Sequence, residues 1–567
     1  MSNLPRRIHD HRVKKFKKNM PLKNSVSCLQ FLALQKVCNY VLDVALEMKK
    51  DSIGSREYFI RSTHAWARTN IISCTKEKLD KGEADKHIWN ELNGVIDTNP
   101  ILKIMNAQFN RWLIILNAML DVGVTRLPSL YFYSGMEAEF HDFVLILNRC
   151  NTHLKELSLT FQMSSKNDYT PIVYNSMFKL QNSLKDGLAS KLVFLKLGAI
   201  CDNAILQTIG ENAICLKHLD ISGSWNVDEI GIKHLLFKKD VSVETNNVSN
   251  DKLCQQLGKL YENKRALNKC CFTLEELRIQ DTNTEDASLL MILACVKSLR
   301  ALGGFLYFRN IGDAIVTLWE NSPKVREFQL TELYDMQLTG KKIAVLKECL
   351  PYLKKLYTRL SCVCSPQDFA DPEQGSMFWG RVQTLTIDLD YMMNFHFINF
   401  IYNYGCNLSE LTILDQEADI DVAKVLSSCP NLLFLKGYLH TFETPVGKFI
   451  KLKSFELHMP TVETINWFFE NCPCLEEAKL FSDSRHLYWN SQVFEKPPAI
   501  MCNKLKRLEI SFNDKHSIIS QKTVYKFIDK CSKLQYLGCL NTWSLDKNFV
   551  DMIKLYVKKN NYDLNIN

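Results

Sequence analysis

The stretch NCPCLEEAKL, residues 471–480, sets Cys472 and Cys474 on either side of a proline, ahead of the spaced trio Leu475, Ala478 and Leu480. Alone, the cysteines suggest metal ligands or a redox couple. The trio decides otherwise, because its spacing returns along the chain. An apolar residue, two others, an apolar residue, one other and a third apolar residue recur fourteen times. The copies begin at Leu154, Leu192, Leu216, Leu274, Leu299, Val325 and Leu353, then at Val382, Leu408, Leu432, Leu452, Leu475, Leu505 and Leu534. From Leu274 onward successive anchors lie 20 to 30 residues apart, a self-similarity that marks stacked structural units.

The spacing has a physical reading. Side chains alternate along a short strand, so the last two apolar positions point inward and the residue between them points outward. A returning segment with its own apolar stripe follows, as in DIDVAKVLSSC (Ile420, Val422, Val425, Leu426) and TVETINWFFENC (Val462, Ile465, Phe468, Phe469). One such unit cannot bury its own core, so neighbours must stack. The pattern resembles leucine-rich repeats. The resemblance implies an α/β solenoid over residues 148–567, curved, with a parallel concave sheet and helices on the convex side. Long excursions near 160–190 and 238–270 interrupt the spacing, and the second, 58 residues from Leu216 to Leu274, has room for a degenerate repeat.

Half of the 20 cysteines share one repeat position. Cys150, Cys215, Cys271, Cys295, Cys349, Cys406, Cys429, Cys472, Cys502 and Cys531 each fall one to four residues before an anchor. A small apolar thiol suits the crowded junction of helix and strand, so Cys472 and its neighbour Cys474 read as packing residues. The run ICLKHLDISGSWNVDEIGIKHL, residues 214–235, resembles the cysteine-containing subclass of these repeats through Cys215, Leu216, Leu219, Ile221, Val227, Gly231, Ile232 and Leu235. That subclass, akin to F-box and ribonuclease-inhibitor-like repeats, is typical of substrate receptors that join a helical adaptor-binding module to a solenoid.

Outward strand residues form the expected partner face: Arg278, Phe434, Lys436, Glu456, Lys479 and Arg507. They mix both charge signs with an aromatic residue, which suits a polypeptide better than a nucleic-acid backbone, whose phosphates call for an unbroken basic stripe. Two long loops after strands carry Trp379 and Trp489, expected either as recognition anchors on the rim or as local core.

Residues 25–147 lack the repeat and read as helical. The first helix carries Leu29, Ala33 and Val37 at intervals of four and resembles the elongin-C-binding box of cullin-RING ubiquitin-ligase receptors, in which an amphipathic helix seats its leucine in a partner's groove. Cys28 and Ala33 depart from that motif's usual residues. No cullin-selecting box lies near it, RLPSLYF at 126–132 being remote, and no leucine-proline opening of an F-box, the module for Skp1-type adaptors, is present. The helix fits equally a cap on the first repeat, which every solenoid needs.

Charge and composition narrow the remaining choices. Residues 1–24 hold eight basic side chains against Asp10, which leaves +1 of the chain's +8 for the other 543 residues. The tail RRIHDHRVKKFKK fits a nuclear import signal or a solvated, unstructured end; the body does not look like a nucleic-acid binder. With no apolar leader and no run long enough to span a bilayer, no membrane partner is expected and the chain is placed in cytoplasm, nucleus or both. No catalytic or phosphate-loop motif appears, and Cys362 and Cys364 lack a second pair at zinc spacing. The expectation is a non-enzymatic binding protein with no cofactor and no metal. Its specific form is a substrate receptor bridging a protein substrate to an elongin or Skp1-type adaptor and a cullin; the alternative is a repeat scaffold without a ligase role.

Overall fold

The computed structural model describes residues 125–566 except 126, 128, 150–152, 163–169, 245–247, 304–309, 361–377, 390–393, 415–419, 421, 439–450, 483–502, 513–518, 544 and 560–563. The candidate adaptor residues Leu29, Ala33 and Val37, and Trp489, lie outside the described residues. Within them the chain forms two compact units, 125–334 with 348–351, and 335–347 with 352–566.

In the first unit the strands are β1 (Leu130–Tyr133), β2 (Glu156–Gln162), β3 (Phe194–Gly198), β4 (His218–Asp220), β5 (Glu276–Arg278) and β6 (Ala301–Leu302), followed by β7 (Glu332–Asp335) where the units divide. Strands β1 to β6 pair in chain order, all parallel. Between them run α1 (Glu137–Arg149), α2 (Pro171–Ser183), α3 (Asn203–Asn212), α4 (Glu229–Leu236), α5 (Asn250–Glu262), α6 (Asp286–Cys295) and α7 (Ile311–Asn321).

After α8 (Gly340–Cys349), the second unit repeats the scheme with β8 (Lys355–Leu360), β9 (Thr384–Leu389), β10 (Glu410–Ile413), β11 (Phe434–Tyr438), β12 (Ser454–His458), β13 (Glu477–Ser482), β14 (Arg507–Phe512), β15 (Tyr536–Gly538) and β16 (Asn565–Ile566). These too pair in order and in parallel. Their helices are α9 (Asn394–Tyr404), α10 (Val422–Ser428), α11 (Val462–Asn471), α12 (Gln521–Lys530) and α13 (Lys547–Lys559). Each unit is a leucine-rich-repeat solenoid.

One hydrogen-bond motif recurs at nearly every step. The carbonyl one residue past an anchor accepts two consecutive amides of the next repeat, as Lys155 O accepts from Val193 (2.8 Å) and Phe194 (3.1 Å), and Glu476 O from Lys506 (2.7 Å) and Arg507 (3.0 Å). Alternation does the rest. In β12, Phe455 and Leu457 are buried while Ser454, Glu456 and His458 face outward. Phe455 meets Phe468 of α11 with ring centroids 4.9 Å apart. That helix starts at Thr461, whose side chain accepts the Thr464 amide, and buries Ile465, Phe468 and Phe469 at helical spacing.

Three sequence readings need correction. RLPSLYF is not helical: it supplies β1, whose Leu130 and Phe132 stand in register with Leu159 and Phe161, inside the stretch expected to be helical. VREFQL does not form a strand. Val325, Phe328 and Leu330 are buried, but the repeated double acceptance falls on Thr331 and Glu332, both donating to Arg300 O. The working anchor is therefore Leu330, and the last inward position of that repeat is Asp335, fully buried and paired with Lys342 Nζ at 3.4 Å. Lys342 Nζ also donates to Gln337 O at 2.7 Å. Finally, the 238–270 excursion holds no repeat strand, because β4 pairs directly with β5. It folds as α5, packed on α6 and α7, and is tied down by the Asn268 amide at 3.0 Å from the carbonyls of His234, Leu235 and Phe237.

The cysteine position divides by offset. Cys271, Cys295, Cys349, Cys429, Cys472 and Cys531, three or four residues before their anchors, are buried. Cys215 and Cys406, one and two residues before theirs, are exposed, contrary to a uniform packing role, because the chain has by then turned to the solvent side of the junction. Cys474 is half-buried. Burial pushes the Cys295, Cys349, Cys429 and Cys472 thiols up to about 12. Thiols also serve the helix end, where Cys270 and Cys271 donate to the Leu235 and Leu236 carbonyls at 3.3 Å.

Two outcomes are expected. Brief alkylation of the native protein, read by peptide mass spectrometry, labels Cys215 and Cys406 and spares the six buried thiols until denaturant is added. Lys342→Met, which leaves the Asp335 carboxylate short of its cation, costs about 3–5 kcal/mol in urea unfolding, and Asp335→Leu in the same chain restores most of it.

Candidate functional site

The outward positions of β11 to β14 lie two residues apart on each strand and align across strands, because the ladder holds all of them in register. Lys436, Glu456 and Lys479 are consecutive partners in one row. Lys436 Nζ sits 2.6 Å from Glu456 Oε1 and Lys479 Nζ 3.2 Å from Glu456 Oε2. His458 Nε2 approaches Oε1 at 3.5 Å. The carboxyl of Glu456 is largely shielded from solvent. The hydrogen bond from the His458 ring, followed by the two lysines, holds it far below its ordinary value of 4.5 against the opposing effect of burial.

The next row outward is aromatic. Tyr438, His458 and Phe481 are again consecutive partners. The His458 ring stacks between the other two, with centroids 4.7 Å from Tyr438 at 26° and 4.8 Å from Phe481 at 13°. On the other side of the lysine row, Phe434 neighbours Ser454, and Arg507 lies beside Tyr536 with its guanidinium 4.0 Å over the ring. Arg507 Nη2 donates to Glu509 Oε2 at 2.9 Å. Five of the expected partner residues, Phe434, Lys436, Glu456, Lys479 and Arg507, therefore share one face.

Arg278 belongs to the first unit. It stands outward on β5, half-exposed and paired with Glu276, which also receives His218 Nδ1 at 3.1 Å. Lys196 and Asp220 pair alongside at 3.1 Å. Trp379 departs from the rim position considered for it: it is 2% exposed. Its ring meets Phe378 and Phe400 edge-on at 5.0 and 4.6 Å, so it closes local core. The row Tyr438, His458 and Phe481 was missed. Each lies six residues past its anchor, and continuing the outward parity beyond the last leucine finds all three.

Chemically the face offers paired charges and flat aromatic surface. Among the described residues no three His, Cys, Asp or Glu side chains gather as a metal site.

No family model matches the chain, and no curated protein does. Among solved structures, a yeast Rad7–Elc1 complex is similar at 15% identity and a TM-score of 0.37, covering 81% of this chain and 98% of that one. The leucine-rich-repeat-containing protein LegL7 of Legionella pneumophila is similar at 10% identity and a TM-score of 0.26, covering 71% and 98%. At such scores neither bears on the function.

Linkage makes the Glu456 arrangement measurable. Its folded-state pKa is depressed, so its stabilisation is present above the ordinary carboxylate value and is lost as pH falls below it. Glu456→Gln removes the anion that two lysines share, and is expected to cost about 1–2 kcal/mol at neutral pH and less at pH 3, where part of that stabilisation is already gone. Urea unfolding at the two pH values checks this.

Proposed function

We propose that this chain is a non-catalytic leucine-rich-repeat protein that binds another polypeptide, and that it serves as a substrate-recognition subunit of a cullin-RING ubiquitin ligase. The carrying observation is the floor of β11 to β14. Its two lysines share the carboxylate of Glu456, and its second row is three stacked aromatic rings. A phosphate backbone gains little from lysines that hold a carboxylate between them, whereas a folded or extended polypeptide can match alternating charge and cover aromatic surface.

The ligase part rests on sequence. Leu29, Ala33 and Val37 resemble an elongin-C-binding box, and residues 214–235 resemble the repeat subclass common in substrate receptors. A receptor of this kind performs no chemistry; it raises the local concentration of substrate beside the ligase, in cytoplasm or nucleus. Cys28 and Ala33 depart from the box, and that departure favours the second reading, a scaffold with no adaptor.

The test is affinity capture from cell lysate with three full-length proteins, read by mass spectrometry. Wild type is expected to bring down a protein partner together with elongin C or a Skp1-type adaptor and a cullin. Leu29→Asp should lose adaptor and cullin and keep the partner, and the pair Lys436→Ala with Phe481→Ala should do the reverse. A scaffold yields partners and no adaptor in any sample. A capping helix shows as a lowered Tm in Leu29→Asp with both sets lost.

A further inference from the structure

The last two helices carry a surplus of positive charge. Residues 521–559, which contain α12 and α13, hold eight lysines against Asp529, Asp546 and Asp551, a surplus of five, while the remainder of 25–567 is net negative by four. The helices bury one side each, Val524, Phe527 and Ile528 on α12 and Phe549, Val550, Ile553 and Val557 on α13, and Tyr525 meets Phe549 edge-on at 5.8 Å. The lysines stand on the other side.

Among the described residues, the exposed Lys522, Lys547, Lys554, Lys558 and Lys559 have no carboxylate partner. Some exposed lysines elsewhere do have one, as in Lys506–Glu476 at 2.6 Å and Lys217–Glu275 at 2.8 Å. In the middle of the α13 lysines sits bare aliphatic surface. Leu555 is 67% exposed and Met552 48%, three residues apart, with Lys558 and Lys559 on the next turn.

We infer that this helical face docks on the surface of an anionic lipid bilayer, Leu555 and Met552 entering the boundary between headgroups and acyl chains while the lysines meet the anionic headgroups. Clusters of four to eight basic residues on an amphipathic helix are suited to such surfaces, and an aliphatic centre is repaid there by burial. A nucleic acid fits less well. The stretch has no arginine to fork onto phosphates and no fully exposed aromatic ring to stack on bases, and its aliphatic centre would stay in water. Among the described residues no helix is long and apolar enough to cross a membrane; contact at the surface requires none.

Flotation of the full-length protein with vesicles tests this, comparing pure phosphatidylcholine with phosphatidylcholine containing a minority of phosphatidylserine. Binding is expected only to the anionic vesicles. At about fivefold per lysine, the triple variant Lys554→Glu, Lys558→Glu, Lys559→Glu weakens it more than about 100-fold, and Leu555→Ser weakens it roughly tenfold. These side chains are exposed, so the Tm stays unchanged. The basic tail, residues 1–24, is present in every sample. Equal binding by wild type and both variants would assign vesicle affinity to that tail and overturn the proposal. So would absence of vesicle binding, or a short DNA duplex or acidic peptide that wild type binds and the triple variant loses in its place.

Discussion

A single carbonyl per repeat governs this molecule. Placed one residue after the anchoring leucine, it takes two successive amides from the next repeat, and so sets where the next strand enters and which way its side chains alternate. Strands as short as β6, two residues, keep their place because the entry is held even where little ladder follows. No repeat has enough apolar surface to stand alone. Register is therefore inherited from neighbour to neighbour, and every other feature, from the buried leucine rows to the aligned outward rows, follows from it.

That inheritance turns a one-dimensional spacing into a surface. Residues two, four and six past an anchor fall into three parallel rows, so a lysine in one repeat meets a glutamate in the next without any contact between them in sequence. Glu456 gathers two lysines and a histidine in this way, and His458 finds a ring on each face. Most of the charge on the resulting floor is paired within it. Affinity for a partner must then come from shape and from ring surface, with charge deciding alignment more than attraction.

Much of this was legible. Inward and outward parity, the direction of the sheet and the placement of Phe434, Lys436, Glu456, Lys479 and Arg507 follow from a period-two reading of each motif. The failures have particular causes. At Val325 two overlapping patterns share Leu330, and the one that folds ends in Asp335, a charge held in the core by Lys342 and by the Gln337 amide. At 126–132, Pro128 and the surrounding helix-like segments hid a strand. Trp379 could not be placed from sequence, because whether a loop aromatic folds in or stands out depends on cavities made by distant residues, here Phe400. Cysteine burial was readable in outline, yet an offset of one or two residues from the anchor reverses it at Cys215 and Cys406.

The direct pairing of β4 with β5 has a consequence for how such a chain can grow. Fifty-five residues intervene between Asp220 and Glu276, and the sheet keeps no record of them. Closing a loop twice as long costs only about 0.6 kcal/mol more, so the exposed turn at Lys239 and Asp240, ahead of α5, is a natural port for grafting. A foreign module threaded in there leaves the register on both sides untouched, whereas the same insertion between an anchor and its carbonyl would break the succession of repeats.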